Sequence, residues 1–233
     1  MIRTLPLPLL ALAAALPAAA AERSYTVTDF DRVQVEGPYR VTLTTGGKSA
    51  ARAEGSTAAL DQVSVDVQGA TLHVRRNRSA WGGYPGEGAG PVTITLTTRD
   101  LRTASVMGSG SLDVDRASGL RVDLSLSGGG RLAVADVQSD TLVVGLIGGG
   151  RITLAGRTKQ LKATIQGSAD LAAAGLSADD AQISSDTAGN VAVAVARSAK
   201  VTTTGSGDVE IVGAPACVVD AKGSGQVICR GAR

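Results

Sequence analysis

The sequence predicts an all-β fold, a β-solenoid, and two observations carry that prediction. The first is a short glycine-rich triplet that recurs seven times. Its copies begin at Gly108, Gly128, Gly148, Gly167, Thr187, Gly205 and Gly223, at intervals of 20, 20, 19, 20, 18 and 18 residues. The second is what flanks it. A polar residue always follows the triplet, and the next residue is apolar: Leu112, Leu132, Ile152, Leu171, Val191, Val209 and Val227. Two further on the chain is apolar again, at Val114, Val134, Leu154, Ala173, Val193, Ile211 and Cys229. Four residues before each triplet stand Ala104, Leu124, Val144, Ala163, Ile183, Val201 and Val219. This period-two alternation marks strands with one buried face.

Each repeat therefore reads as strand, small corner, second strand and a longer polar turn. One such unit cannot cover its own apolar face, but stacked units can. The expectation is a single-stranded, right-handed β-helix of 18–20 residues per coil. The corner suits glycine, which tolerates positive φ and close approach of neighbouring backbones. Seven corners at ordinary strand spacing span roughly 29 Å, six steps of about 4.8 Å.

The chain before the ladder divides in two. Residues 1–21 carry Arg3, an apolar run broken by Pro6 and Pro8, and an Ala-rich end at Ala18–Ala21. This pattern predicts a secretory signal peptide cleaved near Ala21. The apolar run is too short for a membrane span, which needs about 20 residues. Residues 22–100 alternate at Phe30–Gly37, Tyr39–Thr44 and Val92–Leu96. Val63–Val67 leads through Gln68-Gly69 into Leu72-His73-Val74, a hairpin signal. Thr57–Leu60 reads as a brief helical turn. This segment is expected to supply the first coils or a cap, and residues 101–233 the repeat β-helix.

Composition narrows the function. Without Arg3 the mature chain has 22 basic and 21 acidic residues, which gives no field for nucleic acid. Thirty glycines and five aromatics suit a thin aliphatic core.

The order of Phe30-Asp31-Arg32-Val33, Gly37, Val41-Thr42-Leu43, a Gly-Ala-Thr-Leu stretch at 69–72, Leu101 and the Gly-Ser-Gly ladder resembles a known family. It is similar to exported bacterial proteins described as autotransporter-adhesin head domains, the GIN head domain. The resemblance covers about Tyr25 to Gly231. It implies an all-β, β-helical, exported protein with an adhesive or surface-binding role, and it supplies no catalytic residues. No translocator barrel is expected after Arg233, so self-transport is not.

Candidate sites are few. The stretch from Arg75 to Gly90 breaks the alternation with Arg75, Arg76, Arg78, Trp81, Tyr84 and five glycines. Arginines beside exposed aromatics can stack on a sugar or clamp an anion. The plainer reading is a long hairpin loop whose tryptophan covers the end of the core. Asp113, Asp115, Asp170, Asp208 and Glu210 lie near corners, but the acid recurs at no fixed position, so no metal site is expected and these read as solvated. His73 sits alone in an alternating strand, and no aromatic occurs from Gly108 onward, unlike the sugar platforms of glycan-cleaving β-helices.

Cys217 and Cys229 are the only cysteines, six residues either side of Gly223, at positions apolar in other repeats. In an oxidising compartment such a pair closes, so a disulfide across the last coil is expected. The sequence thus predicts a non-enzymatic, cofactor-free protein of the bacterial periplasm or cell surface, binding a surface glycan or envelope component. The alternatives are a polysaccharide-processing enzyme and a passive periplasmic scaffold. No integral membrane segment is expected once the signal is cleaved.

Overall fold

Two sheet faces run the length of the molecule, joined by a row of glycine corners. The structure, a computed structural model, describes residues 21–77 and 90–230. The predicted signal peptide therefore lies outside the described residues, apart from Ala21. Most of the described residues lie in strands. In order these are β1 (Ala21–Tyr25), β2 (Arg32–Glu36), β3 (Arg40–Thr45), β4 (Ala50–Gly55), helix α1 (Thr57–Asp61), β5 (Val63–Gln68), β6 (Thr71–Arg76), β7 (Thr93–Thr98) and β8 (Thr103–Met107). The ladder follows as β9 (Ser111–Gly128), β10 (Arg131–Gly148), β11 (Arg151–Gly167), β12 (Asp170–Thr187), β13 (Val191–Thr203), β14 (Val209–Val212), β15 (Ala216–Ala221) and β16 (Val227–Arg230).

The ladder strands pair in parallel, one coil above the next, as the repeat requires. Leu132 lies opposite Leu112 and Ile152, and Val144 lies opposite Leu124 and Ala163. All of these are buried, so each apolar position of the repeat becomes a column along the core. The core is aliphatic; Phe30 and Tyr39 are its only buried aromatics among the described residues.

The segment expected as a longer polar turn is different. β9, β10, β11 and β12 stay extended straight through it, and each ladder continues with only a local shift in register at β11 and β12. The reason is a further inward column. Ala117 faces Val137, Val137 faces Gly156, and Gly156 faces Leu176. Ala117, Val137 and Leu176 are fully buried, so this edge carries core and cannot loop away from it.

Two more coils precede the ladder, and not in chain order. β2 pairs with both β6 and β8, and β3 with both β7 and β9, all in parallel. The coil made by β2 and β3 is thus slotted between the β6–β7 coil and the first ladder coil. Its corner, Gly37-Pro38-Tyr39, stacks on Gly108-Ser109-Gly110: a Cβ built on Gly110 would lie 2.4 Å from the Gly37 carbonyl oxygen. This eighth corner obeys the ladder's pattern, with Val33 four residues before it, then Arg40, Val41 and Leu43.

The two ends differ. At the N-terminal end, β4 and β5 run antiparallel to β7 and β6, and β1 runs antiparallel to β4. Helix α1 closes this end with Ala59 and Leu60 buried. The Ser56 side chain caps the helix, accepting from Ala59 N at 3.2 Å, and Arg23 ties it to β1 by donating to Leu60 O at 3.0 Å. Charged Glu22 and Arg23 on the outermost strand discourage further pairing. At the other end β15 pairs only with β13, and β16 only with β14. Val219, inward by pattern, is 44% exposed because no further coil covers it. A disulfide joins Cys217 and Cys229 across this last coil, with Cα atoms 6.8 Å apart.

Candidate ligand-binding site

β6 and β7 are linked by residues 77–92, of which 78–89 lie outside the described residues, and the arginines singled out in the sequence begin at the end of β6. Arg78, Trp81 and Tyr84 are outside the described residues, so only Arg75 and Arg76 can be placed.

The two arginines have different surroundings. Arg75 is committed to the neighbouring strand: its guanidinium donates to both carboxylate oxygens of Asp66, at 3.2 and 3.1 Å. Arg76 is exposed and makes no ion pair with a described residue. It borders a cavity of about 420 Å³ together with Glu36, Pro38, Tyr39, Gln62 and Val92. Pro38 and Tyr39 belong to the adjacent corner, Gln62 follows α1, and Val92 leads into β7, so coil, cap and corner all contribute a wall. Burial pushes the Tyr39 hydroxyl above its ordinary range, and the charge of Arg76 pulls it part of the way back. The hollow is largely apolar, with one cation and one carboxylate at its rim. That arrangement can hold an amphipathic or sugar-like group and orient it by charge.

The acidic residues near corners are not all free in solvent. Along the early ladder the residue after each corner donates its amide back to the preceding coil: Arg131 N to Gly110 O at 2.9 Å, Arg151 N to Gly130 O at 3.1 Å and Asp170 N to Gly150 O at 3.0 Å. The next residue along donates to the following coil, as alternate residues of a parallel strand do: Leu171 N to Asn190 O at 2.9 Å, Val191 N to Asp208 O at 2.9 Å and Val209 N to Gln226 O at 2.8 Å. The carboxylates of Asp170 and Asp208 accept the amides of Asn190 and Gln226, at 2.8 and 2.9 Å. Asp115 similarly accepts from Thr45 N at 2.9 Å. These three acids cap backbone groups, a structural role that their irregular spacing in sequence concealed. The Asn190 amide, joined by a 2.8 Å contact from Arg151, holds the Asp170 carboxyl below the usual carboxylate range. Glu210 lies 3.7 Å from Arg230. His73 lies in β6 opposite Asp66 and Gln34. No group of three or more potential metal ligands occurs among the described residues.

Comparison with known proteins is decisive at the level of family. Residues 29–215 match the family described as "Putative auto-transporter adhesin, head GIN domain". The chain belongs to this GIN-domain family. Among solved structures, an adhesin-like protein of Bacteroides fragilis, described as "a putative adhesin", superposes with a TM-score of 0.80 at 20% identity, covering 90% of this chain and 96% of that one. A Parabacteroides distasonis protein described as a "Putative lipid binding protein" gives 0.69 at 17% identity, over 90% and 97% of the two chains. A "putative adhesin" from the same organism gives 0.64 at 17%, over 90% and 97%. At these identities the likeness is one of fold: a solenoid of the same extent. No curated protein sequence matches the chain. Among the described residues of this GIN-domain chain, no helix is long and apolar enough to cross a membrane.

Proposed function

We propose that this GIN-domain protein is an exported adhesin head that binds a glycan or another envelope component without turning it over, through the corner edge near its capped end. The cavity beside Arg76 carries the reading. It is concave, its walls come from three separate elements, and its one cation, Arg76, makes no ion pair with a described residue. Family membership supports the adhesive role, and the signal-like residues 1–21 support export. The arginine-rich stretch that begins at Arg75 also carries Trp81 and Tyr84 in sequence, in keeping with sugar recognition.

The test is a glycan and envelope-component binding screen of the chain lacking residues 1–21, repeated with Arg76→Gln and with residues 78–89 replaced by a short Gly-Ser linker. The expected result is at least one bound component, weakened by either change. Equal binding by all three proteins removes the Arg76 edge from the reading. Release of reducing sugar ends from any bound polysaccharide overturns the non-catalytic assignment. Protease accessibility of the protein on intact cells separates surface display from periplasmic residence.

A further inference from the structure

A second hollow lies farther along the same row of corners, separated from the Arg76 cavity by the Gly37-Pro38-Tyr39 corner. It is a groove of about 270 Å³ running over the three successive corners at Gly110, Gly130 and Gly150, lined by Arg131, Arg151 and Asp170 and by Ser109 and Ser111. We propose that this groove binds the acidic groups of a carboxylated or sulfated polysaccharide, with Arg131 and Arg151 clamping the anion.

The arginines are the first ground. Arg131 and Arg151 are directly opposite in parallel register, so their backbones are one strand spacing apart, about 4.8 Å. Like charges facing each other across strands destabilise a sheet. Arg151 is relieved by Asp170, whose carboxylate lies 2.8 Å from its guanidinium. Arg131 has no such partner among the described residues. Asp113, diagonal to it on the preceding coil, makes no ion pair with it. The pair therefore leaves one forked donor set free at the wall of a groove, which is the geometry that takes a carboxylate or sulfate in two hydrogen bonds.

The floor is the second ground. Corners elsewhere carry a side chain at the middle position: Pro38, Ser109, Ser168, Ala188, Ser206 and Ser224. Only Gly129 and Gly149, the two beside these arginines, leave it bare. Packing does not demand this of Gly129. A Cβ there would meet nothing within 4 Å, and its φ is outside the range that excludes side chains. Its neighbour Gly130 is different, since a Cβ there would lie 2.4 Å from Gly110 O. The missing side chain at 129 thus opens space that the fold does not use, bordered by a free cation and by the hydroxyls of Ser109 and Ser111.

A polymer fits better than a lipid surface. The groove runs along the solenoid axis over backbone, hydroxyls and charge, and anionic membranes are held by clusters of four to eight basic residues, not by two. The site goes beyond the Arg76 reading and stands or falls without it.

The experiment is titration calorimetry of the mature protein with polygalacturonate and with chondroitin sulfate, against dextran and phosphatidylglycerol vesicles as controls. At least one acidic polysaccharide binds, more weakly as salt rises, and dextran does not. Arg131→Gln weakens binding about tenfold or more, as expected for loss of a charge-assisted clamp. Gly129→Leu abolishes it while the thermal midpoint stays at the parent value, and Arg76→Gln leaves it unchanged. Equal affinity for dextran, binding to the vesicles alone, no binding of either acidic polymer, or wild-type affinity in both Arg131→Gln and Gly129→Leu overturns the proposal. Should Gly129→Leu lower the midpoint, the Arg131→Gln titration decides alone.

Discussion

The hydroxyl of Thr187 donates to the carbonyl of Ala169, one coil below, at 3.0 Å. The same oxygen accepts from Gly189 N at 3.0 Å. Thr187 stands where four preceding ladder corners begin with glycine, and it is buried. With the Ala169 carbonyl engaged by a side chain, the Asn190 amide takes the Asp170 carboxylate. Thr187→Val keeps the shape and removes both bonds, leaving the buried Ala169 carbonyl and the half-buried Gly189 amide without them. The expected loss is about 1–3 kcal/mol. A urea midpoint equal to that of the parent protein would show that the hydroxyl is not needed.

The corner glycines next to the groove are not equivalent. Gly130→Val drives a branched side chain onto the Gly110 carbonyl, and a loss of more than about 1 kcal/mol is expected. Gly129→Ala, in open space, is expected to shift the midpoint by only a few tenths of that. The comparison is made by thermal denaturation of the two variants side by side, and equal shifts would contradict the stacked geometry.

Asp170 gives a pH signature. Its folded carboxyl titrates below the unfolded value because the Asn190 amide and Arg151 favour the charged form. A depressed folded pKa contributes stability above the unfolded pKa, about 3.9, and that contribution disappears as pH falls through the folded pKa. Asp170→Asn lacks the titration. Denaturation midpoints of the two proteins should differ by a constant amount at neutral pH and converge below about pH 4. A gap that persists unchanged to pH 2 would mean that the carboxylate's charge contributes nothing.

The terminal disulfide closes a short loop in the least covered coil. Replacing Cys217 and Cys229 with alanine is expected to cost about 3 kcal/mol in the chain-entropy account. Reduction should bring β15 and β16 into hydrogen exchange first, because each is paired on one side only. Exchange that is uniform over the whole ladder after reduction would contradict a local role.

Much of this architecture is legible in the residues. The inward columns at Leu112 and Leu124, the β5–β6 hairpin, the turn at α1 and the cysteine pair all follow from alternation and spacing. The Gly37 corner escapes notice because Tyr39 stands where other corners have a small residue, although Val33, Arg40, Val41 and Leu43 keep the pattern around it. The Ala117–Val137–Leu176 column hides among charged residues of a segment that reads as a turn. The Arg76 cavity and the Arg131 groove depend on which coil lies beside which, and no local signal carries that. The backbone caps at Asp170 and Asp208 depend on which amide of the next coil lies beside each carboxylate, which side-chain alternation does not reveal.

The out-of-order coil carries the long-range part of assembly. β2 and β3 come early in the chain, yet their partners are β6 with β8 and β7 with β9, so they have nothing to pair with until a far longer stretch has gathered. That closure must be met before its contacts give any return, and it is the slow kind of step. Every coil after Arg131 needs only the turn beneath it, about 20 residues away in sequence. By contact order the capped end is thus the slower part of the molecule to close, and the ladder toward the cysteines the quicker.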